Sequence, residues 1–249
     1  MDNEDEKKTY GIEEIYEMFD KKLSHEEIRN YIETSKLEGE KVNDNWQVTQ
    51  KAINSFMVFL GEERAFMIGP FTLDISNVRI EGRILDIGGG GEGIIGQFKN
   101  KQVIAIDKKK NELEGAPESG DLKIIMDAKD LKFLDNSFDT VTAFFSMMYV
   151  PSSDHPVIFQ EINRILKKEG EFLLWDVNIP EKVNESKDIF GVSLNVKIHE
   201  KIIETGYGVY WVRKKDVEYY KEVAKNTGFK ILEQKVDNQI FFLRYKKVN

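Results

Sequence analysis

The 249-residue sequence contains no cysteine. This absence excludes disulfides, thiolate metal sites and every mechanism with a cysteine nucleophile, and it favours a cytoplasmic protein. The sequence has only three histidines, at positions 25, 155 and 199. Without thiolates or a histidine cluster, we expect no metal site.

Long apolar segments and an excess of positive charge are also missing. No apolar run approaches the roughly 20 residues that a membrane-spanning helix requires, and the acidic start MDNEDE is unlike a signal peptide. The net charge of −8 argues against charge-driven binding to nucleic acid or anionic lipid. We therefore expect no membrane partner and regard a nucleic-acid partner as disfavoured.

Residues 1–60 predict a small, mainly helical accessory domain. Apolar residues at helical spacing indicate a first helix, and Ser24 with Glu27 forms a capping box for a second. A hairpin turning at 43–45 follows, and Thr49 caps a third helix. This order over about residues 8–57 resembles the winged helix-turn-helix of the excisionase and MerR-like class.

In that class the second helix enters the DNA major groove. Here Arg29 is the only strong cation of the second helix, and acidic residues outnumber basic ones across residues 8–57. Duplex binding draws most of its affinity from cations that meet phosphates. We therefore favour docking on the catalytic body or on a partner over DNA binding.

A connector is expected over residues 61–82, where Gly69-Pro70 breaks a helix-like pattern. From residue 83 to 249 strands and helices alternate, which predicts an α/β fold with a mostly parallel, Rossmann-like sheet. Only Asp237-Asn238 separates the last two strands, so we expect them to pair as an antiparallel hairpin.

The segment RILDIGGGGEG (83–93) carries the clearest functional signal. A short strand runs into a glycine turn, and the next strand, VIAID, ends on Asp107. This is how a Rossmann-like sheet holds an adenosine: glycines let the backbone approach, and the acid takes the ribose hydroxyls. Asp86, two residues before Gly88, would repel a pyrophosphate but suits an ammonium and a sulfonium. The pattern therefore favours S-adenosylmethionine over NAD.

Two further segments, DAKDLKFLDNSFD (127–139) and EINRILKKEG (161–170), accompany the glycine loop. Together these motifs cover residues 83 to about 177, and they resemble the class I S-adenosylmethionine-dependent methyltransferases. The turn at 168–170 reads Lys-Glu-Gly where that family usually has Pro-Gly-Gly. The resemblance implies a catalytic domain over residues 83–249 with S-adenosylmethionine as its cofactor.

The resemblance also implies residue roles. Asp107 binds the ribose, and Asp127 with the Ala128 amide reads the adenine. Phe145, at the exit of the fourth strand, lies beside the sulfonium. The methionine part of the cofactor is held by a carboxyl and three backbone positions: Asp86, Gly88, Gly89 and Gly90.

A general base is needed only if the acceptor atom carries a proton, and His155 is the best-placed candidate. The alternative is a structural role, since a histidine before a proline at a helix start commonly packs or caps. The four residues at 144–147 read Phe-Phe-Ser-Met, which lacks the Asn/Asp-Pro-Pro-aromatic turn of adenine and glutamine amino-methyltransferases.

The acceptor is then a small molecule, an RNA position or a protein side chain. An insert after the fifth strand predicts an extra hairpin with Tyr207, Tyr210 and Trp211 near its turn. An aromatic lid of this kind favours a small organic acceptor. The leading hypothesis is methyl transfer to a small molecule by in-line displacement. The alternatives are a DNA-binding regulator that senses an adenosine ligand and an RNA methyltransferase that docks through its N-terminal domain.

Overall fold

The computed structural model describes residues 8–19, 21 and 23–248, without the side chain of Glu62. The chain divides into two compact units, which meet in sequence between Phe66 and Met67. No helix in the described residues is long and apolar enough to span a bilayer.

The first unit contains three helices and a small antiparallel sheet. Its elements are β1 (Thr9–Tyr10), α1 (Ile12–Met18), α2 (His25–Glu33), β2 (Glu40–Val42), β3 (Asn45–Thr49) and α3 (Gln50–Arg64). The predicted capping box is present, because Ser24 Oγ accepts the Glu27 amide and the Glu27 carboxylate accepts the Ser24 amide. Thr49 caps α3 through the Ala52 amide.

The strands of this unit pair in the order β1-β3-β2. Asn43 and Asp44 both take positive φ and turn the chain between β2 and β3. The core consists of apolar side chains from all three helices, among them Ile15, Ile28 and Phe56, each at most 1% exposed.

The second unit is built on a seven-stranded sheet in the order β12-β13-β9-β8-β5-β6-β7. Its strands are β5 (Ile84–Ile87), β6 (Val103–Asp107), β7 (Leu122–Ile125), β8 (Phe138–Phe144), β9 (Leu166–Val177), β12 (Phe229–Asp237) and β13 (Ile240–Lys247). Strands β7, β6, β5, β8 and β9 run parallel, whereas β13 is antiparallel to both β9 and β12. The predicted mostly parallel sheet with a final antiparallel hairpin is confirmed.

Buried side chains cover both faces of this sheet. The helices of the unit are α4 (Ile94–Lys99), α5 (Lys110–Gly115), α6 (His155–Ile165) and α7 (Val217–Asn226). Side chains of α6 and α7 pack on one face, and those of α4 pack on the other. The alternation of side-chain direction along each strand is what lets a single strand supply both cores.

A separate three-stranded sheet packs into the core on the face of the large sheet that α4 covers. It consists of β4 (Ala65–Asp74), β10 (Ile189–Ile198) and β11 (Lys201–Tyr210), in the order β11-β10-β4. We call it the lid sheet. The segment expected to be a connector, 61–82, therefore contains the ten-residue strand β4, and Gly69-Pro70 lies within that strand as a cis peptide. The sequence of β4 did not predict a strand, because its side chains are all half-buried or exposed and show no alternating buried pattern.

The hairpin of the lid sheet turns at His199 and Glu200, with His199 at a φ of 53°. The prediction that Tyr207, Tyr210 and Trp211 lie near this turn was wrong. They lie towards the end of β11 that is far from the turn, or just after it. The glycines at 206 and 208 resemble turn residues in sequence, but here they belong to the strand β11.

Candidate active site

The parallel strands β5, β6, β7 and β8 end at one edge of the large sheet, and a cavity of about 420 Å³ lies there. Open α/β sheets bind ligands at this carboxyl edge. We call it the main cavity. Its lining combines the glycine loop, the carboxyls after the strands and an aromatic group: Asp86, Gly88, Gly89, Gly90, Asp107, Asp127, Ala128, Phe144, Phe145, Ser146, Tyr149, Gly206 and Tyr207.

The glycine loop is tied closely to the neighbouring strands. The amides of Gly88 and Gly89 both donate to the Ile106 carbonyl, at 2.8 and 3.1 Å. Gly88 has a φ of +72°, and a Cβ there would lie 2.4 Å from the Ser146 Cβ. Only glycine tolerates both this positive φ and this short distance to Ser146, so the loop backbone can lie against the cavity floor.

Asp86 lies at this floor and is 2% exposed. The Thr142 hydroxyl donates to Asp86 Oδ1 at 2.7 Å, and a Cβ on Gly89 would lie 2.7 Å from Oδ2. Burial raises the pKa of Asp86 to about 7, although the hydrogen bond from Thr142 acts in the opposite direction. Asp86, which the sequence suggested is a permanent anion, is therefore a carboxyl whose pKa lies near neutral pH. A bound cation would favour its charged form.

Asp107 is the last residue of β6, and Asp127 lies two residues after the end of β7. Asp107 Oδ1 accepts the Lys109 amide and Asp127 Oδ1 accepts the Lys129 amide, each at 2.9 Å. These local hydrogen bonds orient both carboxylates at the edge where neighbouring strands end. The structure thus brings Asp86, Asp107 and Asp127 into one cavity, as the sequence predicted.

The opposite end of the main cavity is aromatic. Phe145 follows β8 at a φ of 48°, and its amide donates to the Trp175 carbonyl at 2.9 Å. The Tyr207 ring of β11 stacks on Phe145 with 5.0 Å between centroids and 10° between planes. Burial raises the pKa of Tyr207 strongly, so this phenol keeps its proton at every physiological pH. This stack joins the lid sheet to the large sheet.

Tyr149 was not identified from the sequence, because no motif marks it. Its hydroxyl accepts the Gly208 amide of β11 at 3.2 Å, and burial raises its pKa to about 12. This hydrogen bond links the segment after β8 to the lid sheet, and Tyr149 itself lines the cavity.

Three side chains hold carbonyl groups of that segment, which comprises residues 147–152. Lys215 Nζ donates to the carbonyls of Met148 and Val150 at 2.8 and 2.6 Å. The Tyr219 hydroxyl lies 3.1 Å from the Ser152 carbonyl, and His155 Nε2 lies 3.0 Å from the Met147 carbonyl. The segment is therefore anchored along its length.

His155 does not lie in the main cavity, which corrects its assignment as a general base. The side chain is 0% exposed; besides the contact with Met147, its Nδ1 lies 2.7 Å from the Tyr219 hydroxyl. Burial lowers the pKa of His155 to about 4. A base needs a lone pair that faces the substrate, whereas both nitrogens of His155 are engaged within the protein. No histidine is among the described residues that line the main cavity.

Residues 85–174 match a protein family described as "Methyltransferase domain". This part of the chain is a methyltransferase domain. The ubiquinone/menaquinone biosynthesis C-methyltransferase UbiE of Pseudomonas paraeruginosa is 29% identical over 139 residues, which are 50% of this chain and 54% of that protein. The UbiE protein of Idiomarina loihiensis is 24% identical over 189 residues, covering 68% and 73%. The chain spans about half the length of the first of these relatives.

Solved structures share the fold of the domain. A methyltransferase of Methanosarcina mazei described as SAM-dependent superposes with a TM-score of 0.52 at 17% identity, covering 74% of this chain and 99% of that one. The PH0226 protein of Pyrococcus horikoshii gives 0.51 at 17% identity, covering 70% and 85%. The domain match and the methyltransferase fold imply S-adenosylmethionine as the cofactor of the domain.

The residues of the main cavity fit this cofactor. Its volume lies within the range of roughly 300–1,000 Å³ that is typical of small-ligand sites. The carboxyl-rich floor has the chemistry for hydroxyl groups and cationic groups rather than for phosphates. A Cβ at Gly88, Gly89 or Gly90 would lie 2.4–2.7 Å from atoms of Ser146, Asp86 or Glu112, so the absence of side chains lets the loop backbone itself line the cavity.

Proposed function

We propose that this protein transfers a methyl group from S-adenosylmethionine to a small organic acceptor by in-line displacement. The observation that carries the proposal is the meeting of Asp86, Asp107 and Asp127 in one cavity, at the ends of neighbouring parallel strands. A cationic nucleoside matches this set of carboxyls better than a pyrophosphate does.

Each strand end holds a different part of the cofactor in this proposal. Asp107 accepts both ribose hydroxyls, and Asp127 with the Ala128 amide reads the adenine. Asp86 and the backbone at residues 88–90 hold the methionine part. Phe145 lines the cavity beside the sulfonium and helps to keep water out.

When bound, S-adenosylmethionine supplies an electrophilic methyl group. The chain contributes alignment and exclusion of water, and little covalent chemistry is required of it. Because His155 is buried away from the cavity, no histidine is assigned to proton removal. An acceptor with a free lone pair at neutral pH suits such a site best.

A small acceptor is supported by the aromatic end of the cavity and by the relatives. The UbiE proteins are described as C-methyltransferases of ubiquinone and menaquinone biosynthesis, and their names point to small organic acceptors. The net charge of −8 gives no support for a nucleic-acid acceptor.

We also propose that the N-terminal unit is a winged-helix-like accessory domain. Its order of two helices, a hairpin and a third helix supports this assignment. In place of the predicted domain bounds of 1–60, 61–82 and 83–249, we propose one boundary between Phe66 and Met67, near the start of β4. Docking on a partner remains the role that its acidic surface favours.

Ligand-induced stabilisation tests the cofactor assignment. Thermal unfolding and calorimetry should show binding of S-adenosylmethionine and S-adenosylhomocysteine but not of NADH. Asp107→Ala should weaken S-adenosylhomocysteine binding about 100-fold, since two charge-assisted hydrogen bonds are lost. Asp130→Ala, an exposed carboxylate that pairs with Lys132, is the matched control and should leave binding unchanged.

Transfer of a labelled methyl group tests the acceptor class. The metabolite fraction of a cell extract should become labelled in preference to its RNA and protein fractions. Tight NADH binding, or labelling confined to RNA, would overturn the corresponding part of the proposal.

A further inference from the structure

One edge of the lid sheet is unpaired within its sheet and faces the main cavity. The order β11-β10-β4 leaves β11 at the edge, and two residues of β11, Gly206 and Tyr207, line the cavity. An edge strand presents backbone N–H and C=O groups that can bind another molecule.

The direction of these backbone groups follows from the pairing on both sides of β10. The Lys197 carbonyl accepts the Ile75 amide after β4, so the odd-numbered residues of β10 direct their polar groups towards β4. Their even-numbered neighbours therefore pair with β11. Because Val192 pairs with Tyr207, the odd-numbered residues of β11 face β10.

The even-numbered residues of β11 must then direct their N–H and C=O groups towards the open edge. The Gly208 amide confirms this direction, since it donates to the Tyr149 hydroxyl outside the sheet. Gly206 has the same parity as Gly208 and lies one pleat further along the strand. Its N–H and C=O therefore both point to the open edge, at the position where β11 lines the main cavity.

Aromatic rings flank this peptide edge. Tyr207 stacks on Phe145 beside Gly206, and Tyr149 closes the edge at Gly208. In an extended residue the N–H and C=O point the same way and lie close together, so they match a neighbouring C=O and N–H of one small planar group. A carboxamide or a lactam carries such a pair, and a flat ring attached to it suits the aromatic walls.

We propose that the Gly206 backbone binds the methyl acceptor, and that this acceptor is a flat aromatic or heteroaromatic molecule carrying a carboxamide or lactam. This inference rests on the proposed methyltransferase function and specifies its substrate class. The Gly206 N–H donates to the acceptor's carbonyl oxygen, and the Gly206 carbonyl accepts the acceptor's N–H.

Substitutions at Gly206 separate the hydrogen bond from the shape of the site. Gly206→Pro removes the N–H, and proline is tolerated on an edge strand where the N–H faces outwards. Gly206→Ala keeps the N–H, and its Cβ would meet only the Val192 carbonyl at an ordinary 3.5 Å. Glu204→Pro removes an N–H of the same parity outside the cavity lining and serves as a second control.

The probes are nicotinamide, benzamide and 2-pyridone, titrated by calorimetry or ligand-observed NMR into the full chain saturated with S-adenosylhomocysteine. We expect at least one probe to bind the wild-type protein and to bind Gly206→Pro about 10-fold more weakly, which corresponds to one hydrogen bond. The Gly206→Ala and Glu204→Pro variants should match the wild type within about 2-fold.

A measurement on the unaltered protein keeps the test valid if Gly206→Pro fails to fold. 3-Acetylpyridine retains the carbonyl of nicotinamide but lacks its N–H, and it should bind wild type about 10-fold more weakly than nicotinamide does. No binding of any amide probe below 10 mM (roughly −2.7 kcal/mol), or equal binding of 3-acetylpyridine and nicotinamide, would overturn the proposal.

The cofactor itself provides the remaining distinction. If Gly206→Pro weakens S-adenosylhomocysteine and the amide probes equally, the edge holds the cofactor and the acceptor proposal is wrong. If the wild-type protein binds no S-adenosylhomocysteine, the failure lies with the proposed function instead.

Discussion

The two ends of the main cavity are built from different kinds of structure. At the cofactor end, Asp107 and Asp127 each accept a backbone amide two residues further along the chain, and the loop after β5 is tied to the Ile106 carbonyl of the adjacent strand β6. At the acceptor end, Tyr207 and Gly206 come from a separate sheet and meet Phe145 and Tyr149 only through the tertiary fold. The cofactor end therefore consists of short motifs at the ends of neighbouring strands of one sheet, whereas the acceptor end is assembled from two sheets.

The largest loss of ligand affinity is expected for a substitution at Gly88, where the loop has no space for a side chain. In Gly88→Ala the added methyl would lie 2.4 Å from the Ser146 Cβ at a φ unfavourable to alanine, so the loop must move. S-adenosylhomocysteine affinity should fall more than about 100-fold by calorimetry. Gly115→Ala, with no atom within 4 Å of its Cβ, is the control and should bind normally. Full affinity in Gly88→Ala would mean that the loop is not the binding element.

Tyr207→Ala should have an intermediate effect that distinguishes the cofactor end from the acceptor end. Tyr207→Ala removes the ring that stacks on Phe145 but no group at the cofactor end, so we expect S-adenosylhomocysteine affinity to stay within about 3-fold. Labelled-methyl transfer into the metabolite fraction should fall about 10- to 100-fold, because the loss of a buried aromatic wall weakens alignment. Tyr210→Ala, on the same strand but outside the cavity lining, is the matched control. Equal losses in both measurements would remove the distinction between the ends.

A smaller effect is expected from pH. Because burial raises the pKa of Asp86 to about 7, its charged fraction grows between pH 6 and 7.5, and affinity for the cationic cofactor should rise by up to about 10-fold per pH unit below that pKa. Asp86→Asn should flatten this profile while keeping a hydrogen bond with Thr142. Calorimetric titration of S-adenosylmethionine across this range provides the measurement, and an unchanged slope in the variant would contradict it.

The smallest effect on ligands is expected for His155→Gln. S-adenosylhomocysteine binding and methyl transfer should be unchanged, because His155 lies outside the cavity lining. The free energy of unfolding should fall by ~1–3 kcal/mol, since the Tyr219 hydroxyl and the Met147 carbonyl lose their hydrogen bonds with His155.

The pH dependence of stability gives a second signature for this residue. The pKa of His155 is lowered in the folded state from 6.5 to about 4, so its contribution is present above pH 6.5 and is lost as the pH falls towards 4. The variant should therefore lose less stability than the wild type between pH 7 and 5. A large loss of methyl transfer at neutral pH would restore the catalytic assignment.

The sequence predicted those features that short segments determine. The glycine loop, the strand-end aspartates and the antiparallel last pair of strands each follow from local patterns, and the sheet order agrees with them. The burial of Asp86 was not predictable, because Thr142 and the surrounding core come from another strand. His155 was misassigned for the same reason, since its partner Tyr219 lies 64 residues away.

The lid sheet shows why the structure of the acceptor end could not be predicted from the sequence. Gly206 and Gly208 have the composition of a turn, yet they extend a ten-residue strand whose partner begins at Ile189. Strand β4, far earlier in the chain, completes the sheet and has no motif of its own. Long-range pairing of this kind leaves no short signature in one sequence.

The anchoring of the segment after β8 bears on how molecules enter and leave. Lys215, Tyr219 and His155 hold the carbonyls of this segment, whereas the Tyr149 hydroxyl links it to β11. Separating β11 from this segment would break the Tyr149–Gly208 hydrogen bond and the stacking of Tyr207 on Phe145, whereas moving the segment itself would break several hydrogen bonds to its carbonyls. We therefore expect the rate of ligand exchange to depend more on the contacts of β11 than on the contacts of Lys215, Tyr219 and His155.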